Sequence, residues 1–192
     1  IDTARKHADV VVVSIFVNPT QFGPGEDFKR YPRDLKTDTK HLKQRGVDLL
    51  FFPENITMYR DDFSTYVEVT DLGKVLCGKS RPSHFRGVTT VVLKLFNLVQ
   101  PTMAYFGQKD AQQAIIIKKM VRDLDLDMHI RVMPIVRDKD GLALSSRNRY
   151  LSASERQSAL MLSKVLEKAK KMISEGQRDC LYLIESMGRN LK

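Results

Sequence analysis

The sequence predicts an α/β fold built around a parallel β-sheet. Strand-like and helix-like stretches alternate from Asp9 to Val136, as strand–helix–strand units do. The first strong strand, Asp9–Val17, is a continuous Val/Ile/Phe run broken only by Ser14. Such a run is expected of a parallel strand covered on both faces. Beyond Val136 the alternation gives way to long helical patterns, so a second, smaller region is expected there.

Asp34–Arg45 is polar with helical spacing, and Gly46 is placed to end it. Asp48–Phe52 is the next strand, closed by Pro53, and Ser64–Val69 alternates polar and apolar residues as an edge strand does. Gly87–Val99 is apolar and long enough for a buried helix despite its β-branched residues. Met103-Ala104-Tyr105 reads as a short buried strand, Ala114–Val121 as the helix after it, and His129–Val136 as a further strand. Arg137–Gly141 is a charged turn or linker. Ser152-Ala153-Ser154-Glu155 is a capping box opening a long amphipathic helix that ends near Gly176. A last helix runs from Asp179 to about Met187. The expected domains are therefore 1–136 and 137–192.

With 192 residues, 42% hydrophobic and 29% charged, the chain has the make-up of an ordinary globular protein. No apolar run reaches membrane-spanning length and nothing resembles a signal peptide, so a cytoplasmic protein with no membrane partner is expected. Cys77 and Cys180 stand far apart with no second cysteine at metal-site spacing, which fits a reducing compartment and no zinc site. The net charge of +9 suits either nucleic acid or a polyanionic small molecule. Because the basic residues are spread out, with small clusters at Lys118-Lys119 and Lys168–Lys171 and no aromatic-interleaved stripe, no nucleic-acid partner is expected.

Three polar segments follow strands, where ligands of such sheets bind. The most informative is Phe106-Gly107-Gln108-Lys109-Asp110-Ala111-Gln112-Gln113. Gly107 lets a ligand approach the backbone, the new helix offers free N–H groups to an anion, and Lys109 adds a mobile cation. Asp110 accepts hydrogen bonds from sugar hydroxyls, and Gln113 shares the face of Lys109 one turn on. The other reading is a capped, solvated turn. Asn18-Pro19-Thr20-Gln21 brings uncharged donors and acceptors suited to the hydroxyls and carboxylate of a small substrate, and equally to turn chemistry. Leu142-Ala143-Leu144-Ser145-Ser146-Arg147-Asn148, with two hydroxyls and a guanidinium after a flexible turn, reads as a phosphate grip or as a polar linker. Asp38 is either a magnesium ligand or a solvated carboxylate, and Arg81 and His84 support a loop or a subunit contact. There is no G-x-G-x-x-G, no Walker A sequence and no ordering that compels a serine hydrolase.

Taken together, Val10–Phe22, Arg30-Tyr31-Pro32-Arg33, Arg81–Val88, Phe106–Gln113 and Asp140–Tyr150 resemble, in order and spacing, the pantoate–β-alanine ligase (pantothenate synthetase) family. The resemblance implies a Rossmann-like, doubly wound nucleotidyltransferase fold, a homodimer and a smaller C-terminal domain. It also implies a two-step reaction. ATP and pantoate give pantoyl adenylate and pyrophosphate, then β-alanine gives pantothenate and AMP, with Mg2+ accompanying ATP. Carried over by position, Gln21, Gln113 and Asn18 would hold pantoate and Gln21 would also meet β-alanine. Gly107, Gln108, Lys109 and Asp110 would bind ATP, with Asp110 at the ribose and Lys109 at the phosphates. Val136 would lie against adenine, and Leu144, Ser145, Ser146 and Arg147 would form a phosphate loop. Lys109, Ser145, Ser146 and Arg147 would be catalytic, and Asp38 would be the metal ligand.

Three departures from the family pattern accompany the resemblance. No His-x-Gly-His occurs in the chain, whereas the family's histidines contact ATP phosphates. The expectation drawn from this is a chain short of the first strand and of the C-terminal end, with little synthetase activity of its own, or else an inactive nucleotide-binding relic. Cys77 stands where the family has glutamate, which puts the usual ion pair of Arg81 in question. The family's paired acidic residues on the magnesium side are Thr37-Asp38 here.

Overall fold

Two parallel strand pairs packed on one helical core make up the N-terminal unit, Ile1–Pro134, in the computed structural model, which describes residues 1–191. After α1 (Asp2–Arg5), β1 (Val12–Ser14) pairs in parallel with β2 (Leu49–Phe51), Val12 facing Leu49 and Ser14 facing Phe51. Between them lies α2 (Leu35–Gln44), whose N-cap Asp34 accepts from the Thr37 amide at 3.0 Å. Arg5 reaches the Asp48 carboxylate at 2.5 Å, and that carboxylate also accepts from the Val11 amide at 2.7 Å. The start of the strand pair is thereby tied to α1.

Two short helices follow, α3 (Asn55–Met58) and α4 (Cys77–Ser80), and then the long α5 (His84–Val99). β3 (Met103–Gly107) leads into α6 (Ala111–Asp123) and pairs in parallel with β4 (His129–Met133), Met103 facing His129 and Gly107 facing Met133. The core is formed by Val88, Val91, Val92 and Phe96 of α5 with Met58 and with Ile117, Met120 and Val121 of α6. Phe16, just past β1, and Phe51 of β2, with Ala104 and Phe106 of β3 and Ile130 of β4, pack on the same cluster. An apolar helix with β-branched residues is buried here because both strand pairs press on it.

The predicted α/β class with parallel pairing is what the chain adopts, with three local differences. The strands form two pairs rather than a single ladder. The predicted His129–Val136 strand stops at Met133, because Pro134 has no N–H to offer a ladder. Ser64–Val69 is extended but is not a strand. Its alternation is satisfied otherwise, with Val67 and Val69 against the core and the Val67 backbone bonded to threonine hydroxyls of α5. The Val67 amide donates to Thr90 Oγ1 at 3.0 Å, and the Val67 carbonyl accepts from Thr89 Oγ1 at 2.5 Å.

The second unit, Ile135–Lys192, divides from the first two residues before the boundary expected after Val136. It holds a short hairpin over residues 136–144, α7 (Ala153–Ser174) and α8 (Cys180–Arg189). The predicted capping box is present: Ser152 Oγ accepts from the Glu155 amide at 3.3 Å, and the Glu155 carboxylate accepts from the Ser152 amide at 2.8 Å. Asp179 caps α8 by accepting from the amides of Leu181 and Tyr182. Leu160, Val165 and Ala169 of α7 and Ser186 of α8 are buried, and the two helices pack on each other, Ser186 Oγ meeting Met172 Sδ at 3.8 Å. Among the described residues no helix is long and apolar enough to cross a membrane.

Replacing Thr90 by valine leaves the Val67 amide without its acceptor in a packed region, and should cost about 1–3 kcal/mol. Thr90→Ser keeps the hydroxyl and should cost clearly less. Chemical denaturation of the two variants checks this, and equal losses would place the effect in packing instead.

Candidate active site

The polar turn after β1 is built around Asn18, which is only 2% exposed. Asn18 caps the single helical turn Pro19–Gln21, its Oδ1 accepting from the Thr20 amide at 3.3 Å and from Thr20 Oγ1 at 2.9 Å. The same oxygen accepts from the Tyr59 hydroxyl at 2.8 Å. Its Nδ2 donates to the Gly87 carbonyl at 3.0 Å and to Gln21 Oε1 at 3.2 Å. An asparagine amide has two N–H donors, and both are engaged here. Asn18, expected among the pantoate-binding residues, is turned inward, and its side chain holds the turn. Gln21 remains at the surface of this network, partly exposed, with its Nε2 group bonded to nothing among the described residues.

Helix α5 closes on this turn at Gly87. A Cβ built there would sit 2.4 Å from the Thr20 carbonyl oxygen and 2.7 Å from Gln21 Cα, distances no side chain tolerates. His84, the first residue of α5, and Arg81, just after α4, clamp the Gln21 backbone. His84 Nδ1 lies 2.8 Å from the Gln21 carbonyl oxygen, and Arg81 Nη2 donates to it at 3.3 Å. A carbonyl only accepts, so Nδ1 carries the proton. Burial holds His84 below the usual imidazole range, and the Arg81 charge acts the same way, while the Gln21 carbonyl and the carboxylates of Glu26 and Asp110 oppose it. At neutral pH the ring is therefore neutral, protonated at Nδ1, with Nε2 left as an acceptor.

Arg81 forms a two-pronged ion pair with Glu26, Nε to Oε1 at 2.6 Å and Nη2 to Oε2 at 2.5 Å. Both side chains are more than two-thirds shielded, and the Arg81 hydrogen bond, against the cost of burial, holds Glu26 below the usual carboxylate range. The ion pair that Cys77 put in question is thus present with a different carboxylate. Sequence reasoning missed Glu26; its position four residues after Phe22 carried no signal of its own.

The Gly107–Asp110 turn is exposed throughout. Gly107 has an ordinary extended backbone, and a Cβ there would meet nothing within 4 Å. The glycine keeps space clear above the turn rather than relieving strain. Lys109 Nζ lies 3.3 Å from Asp110 Oδ1, both groups well solvated, so Lys109 is free to swing to an incoming anion. Asp110 precedes α6 without capping it by its side chain. Gln113 is half-buried and its amide is unengaged among the described residues. Gln112, which sequence reasoning passed over, is the anchor: its Nε2 donates to the Leu72 and Val75 carbonyls at 3.0 and 2.7 Å, and its Oε1 accepts from the Cys77 amide at 3.1 Å. One side chain thus ties the first turn of α6 to the segment leading into Arg81 and His84. The Gly107–Gln113 turn is thereby linked, through the Gln112 clasp, to the segment whose Arg81 and His84 hold the Gln21 carbonyl.

In the second unit the candidate residues are brought together by the hairpin. The Leu144 amide donates to the Val136 carbonyl at 2.9 Å, which sets these two exposed apolar residues opposite each other. The turn between them is no passive linker: Arg156 of α7 donates to Asp140 at 2.7 Å and to Asp138 at 2.8 Å. Ser145 caps the turn Ser146–Tyr150 by accepting from the Arg147 amide at 3.3 Å. Ser146 and Arg147 lie on the exposed side of that turn.

Asp38 sits exposed on the first turn of α2. Among the described residues no three His, Cys, Asp or Glu side chains gather as a metal-holding group.

A family model described as pantoate-beta-alanine ligase matches residues 1–191. The chain belongs to this family. It is 57% identical over 191 residues to the pantothenate synthetase of Thermosipho melanesiensis, covering 100% of this chain and 68% of that protein. Its fold matches the crystal structure of pantothenate synthetase from Thermus thermophilus with a TM-score of 0.95 at 46% identity, covering 99% of this chain and 69% of that one. The pantoate-beta-alanine ligase of Francisella tularensis, solved with beta-gamma ATP and beta-alanine, matches with a TM-score of 0.82 at 36% identity, over 98% and 70% of the two chains. The chain thus spans about two thirds of the length of the ligase-family members it matches.

Gly87→Ala should dislodge α5 from the Asn18–Gln21 turn, lowering thermal stability and removing whatever the Gln21 corner binds; a thermal melt with a binding titration reads both. The Arg81–Glu26 pair has a pH signature. The folded-state pKa of Glu26 lies below its unfolded value, so its stabilisation is complete above about pH 4.3 and is lost as pH falls through the folded value. Melting temperature measured from pH 6 down to pH 3 should fall less steeply in Glu26→Gln than in the parent, and parallel curves would remove the assignment.

Proposed function

We propose that this chain carries the acid-binding and part of the nucleotide-binding machinery of an ATP-dependent pantoate–β-alanine ligase. The supporting observation is the polar corner of the first unit. An outward-facing Gln21 amide, its backbone carbonyl held by His84, and an unobstructed Gly107–Asp110 turn occur on a chain 57% identical to a pantothenate synthetase. In this reading Gln21 and Gln113 hold pantoate. Gly107, Gln108, Lys109 and Asp110 take the nucleotide, with Asp110 at the ribose. Val136 and Leu144 offer an apolar surface to the adenine. Ser145, Ser146 and Arg147 supply hydroxyl, amide and guanidinium donors to the phosphates.

The chemistry needs an anionic acid brought against an anionic α-phosphate. The pantoate carboxylate oxygen bonds to the α-phosphorus as the bond to pyrophosphate breaks. The amine of β-alanine then attacks the acyl carbon, and AMP leaves. Positioning and charge compensation carry most of such a barrier. Lys109 and Arg147 are the cations assigned to that task, and Mg2+ would arrive with ATP. A His-x-Gly-His element is absent from these 192 residues, so the phosphate contacts assigned here are those of the two loops alone. The family resemblance also makes a homodimer the working form.

Titration calorimetry tests the reading. The protein should bind ATP and pantoate, and Lys109→Met should weaken ATP by about tenfold or more, the scale of a lost charge-assisted hydrogen bond, with pantoate unaffected. Binding of neither ligand, together with tight and steeply salt-dependent binding of duplex DNA, would instead assign the +9 charge to nucleic acid.

A further inference from the structure

Five groups converge on the Asn18 side chain, and two of them have a polarity that chemistry does not reverse. The Gly87 carbonyl only accepts, and it faces Nδ2 at 3.0 Å. The Thr20 amide only donates, and it faces Oδ1 at 3.3 Å. The orientation of the Asn18 amide is therefore dictated by backbone on both sides. The Tyr59 hydroxyl, at 2.8 Å, and Thr20 Oγ1, at 2.9 Å, add two donors to the same oxygen. What remains for Asn18 is its second N–H, and Gln21 Oε1 receives it at 3.2 Å. With its oxygen turned to the Asn18 donor, the Gln21 amide directs its NH2 away from Asn18, and these N–H groups are unengaged among the described residues.

We infer that Asn18 and Tyr59 are positioning residues that set the orientation of the Gln21 amide, so that it presents its N–H donors to carboxylate and hydroxyl oxygens of its ligand in preference to presenting its oxygen to an ammonium group. On the proposed function, this assigns Gln21 to the oxygens of pantoate and to the carboxylate end of β-alanine, not to its amine. Tyr59 is well placed for the task. Burial pushes its hydroxyl up from the usual phenol range, so it stays a donor. Its ring is wedged edge-on against Phe63, with centroids 4.9 Å apart, beside Phe16 and under the Lys94 ammonium. The hydroxyl has no freedom to leave Asn18 without moving that stack.

The polarity claim separates cleanly from a general loss of structure. Asn18→Asp keeps the acceptor that meets Thr20 and Tyr59 but removes both donors, so Gln21 should swing its NH2 inward and present its oxygen. Tyr59→Phe is the milder variant, and it retains the aromatic stack should Asn18→Asp fail to fold. Calorimetry should show pantoate bound about three- to tenfold more weakly by Tyr59→Phe, the scale of one hydrogen bond, and more weakly still by Asn18→Asp. ATP affinity should be unchanged in both. In a Gln21→Ala background Tyr59→Phe should cost nothing further, because its effect runs only through Gln21. Unchanged pantoate affinity in Tyr59→Phe, or the same loss persisting in the Gln21→Ala background, overturns the inference and leaves the proposed function standing. A parent protein that binds no pantoate overturns the proposed function instead. Side-chain amide exchange by NMR then decides the relay without any ligand. Asn18 protons should exchange at least tenfold more slowly than those of Gln21, with the difference reduced in Tyr59→Phe, and equal rates in the parent overturn the relay.

Discussion

The contact between Gly87 and the Thr20–Gln21 backbone is the constraint on which the site depends. It lets a helix lie directly on a polar turn, close enough for the Gly87 carbonyl to hold Asn18 and for His84 and Arg81 to reach the Gln21 carbonyl. The same helix carries the valines and phenylalanine on which both strand pairs rest. Core and site therefore share one element, and a shift that disturbs the turn also disturbs the packing behind it.

That sharing explains how polar groups are managed. Asn18 is buried, yet each of its polar atoms is bonded, which is the condition for burying an amide without a large penalty. The flexible cation Lys109 is treated in the opposite way. It stays solvated, beside a glycine that leaves the neighbouring space empty. Under the proposed function, rigid, neutral groups would face the acid and a mobile charge would face the phosphates. The division suits a reaction in which one partner must be held in a single pose while the other changes charge.

Much of this was legible in the residues. Continuous apolar runs marked the parallel strands, a capping box marked α7, and the glycine between a strand and a helix marked the Gly107 turn, because each signal is local and rests on backbone geometry. What escaped depends on partners distant in sequence. Nothing near Asn18 says that Tyr59 and Gly87 will enclose it, and nothing near Arg81 says that Glu26, 55 residues earlier, will replace the carboxylate missing at Cys77. Ser64–Val69 has the alternation of a strand, but threonine hydroxyls on a helix took the place of a neighbouring strand. Alternation reports which side is buried, not which groups receive the backbone hydrogen bonds.

Gln112 and Gln113 are chemically identical neighbours with unlike duties: one clasps the Leu72–Cys77 backbone, while the other keeps its amide unspent. Successive residues of an α-helix are about 100° apart around its axis, so only their phase distinguishes them. Deleting one residue between Gly107 and Gln112 would hand the clasp to Gln113 and remove a glutamine from the ligand side, with neither side chain altered. The length of this turn is therefore held by a tighter rule than the identity of most residues in it, and insertions or deletions there should be far rarer among functional relatives than substitutions.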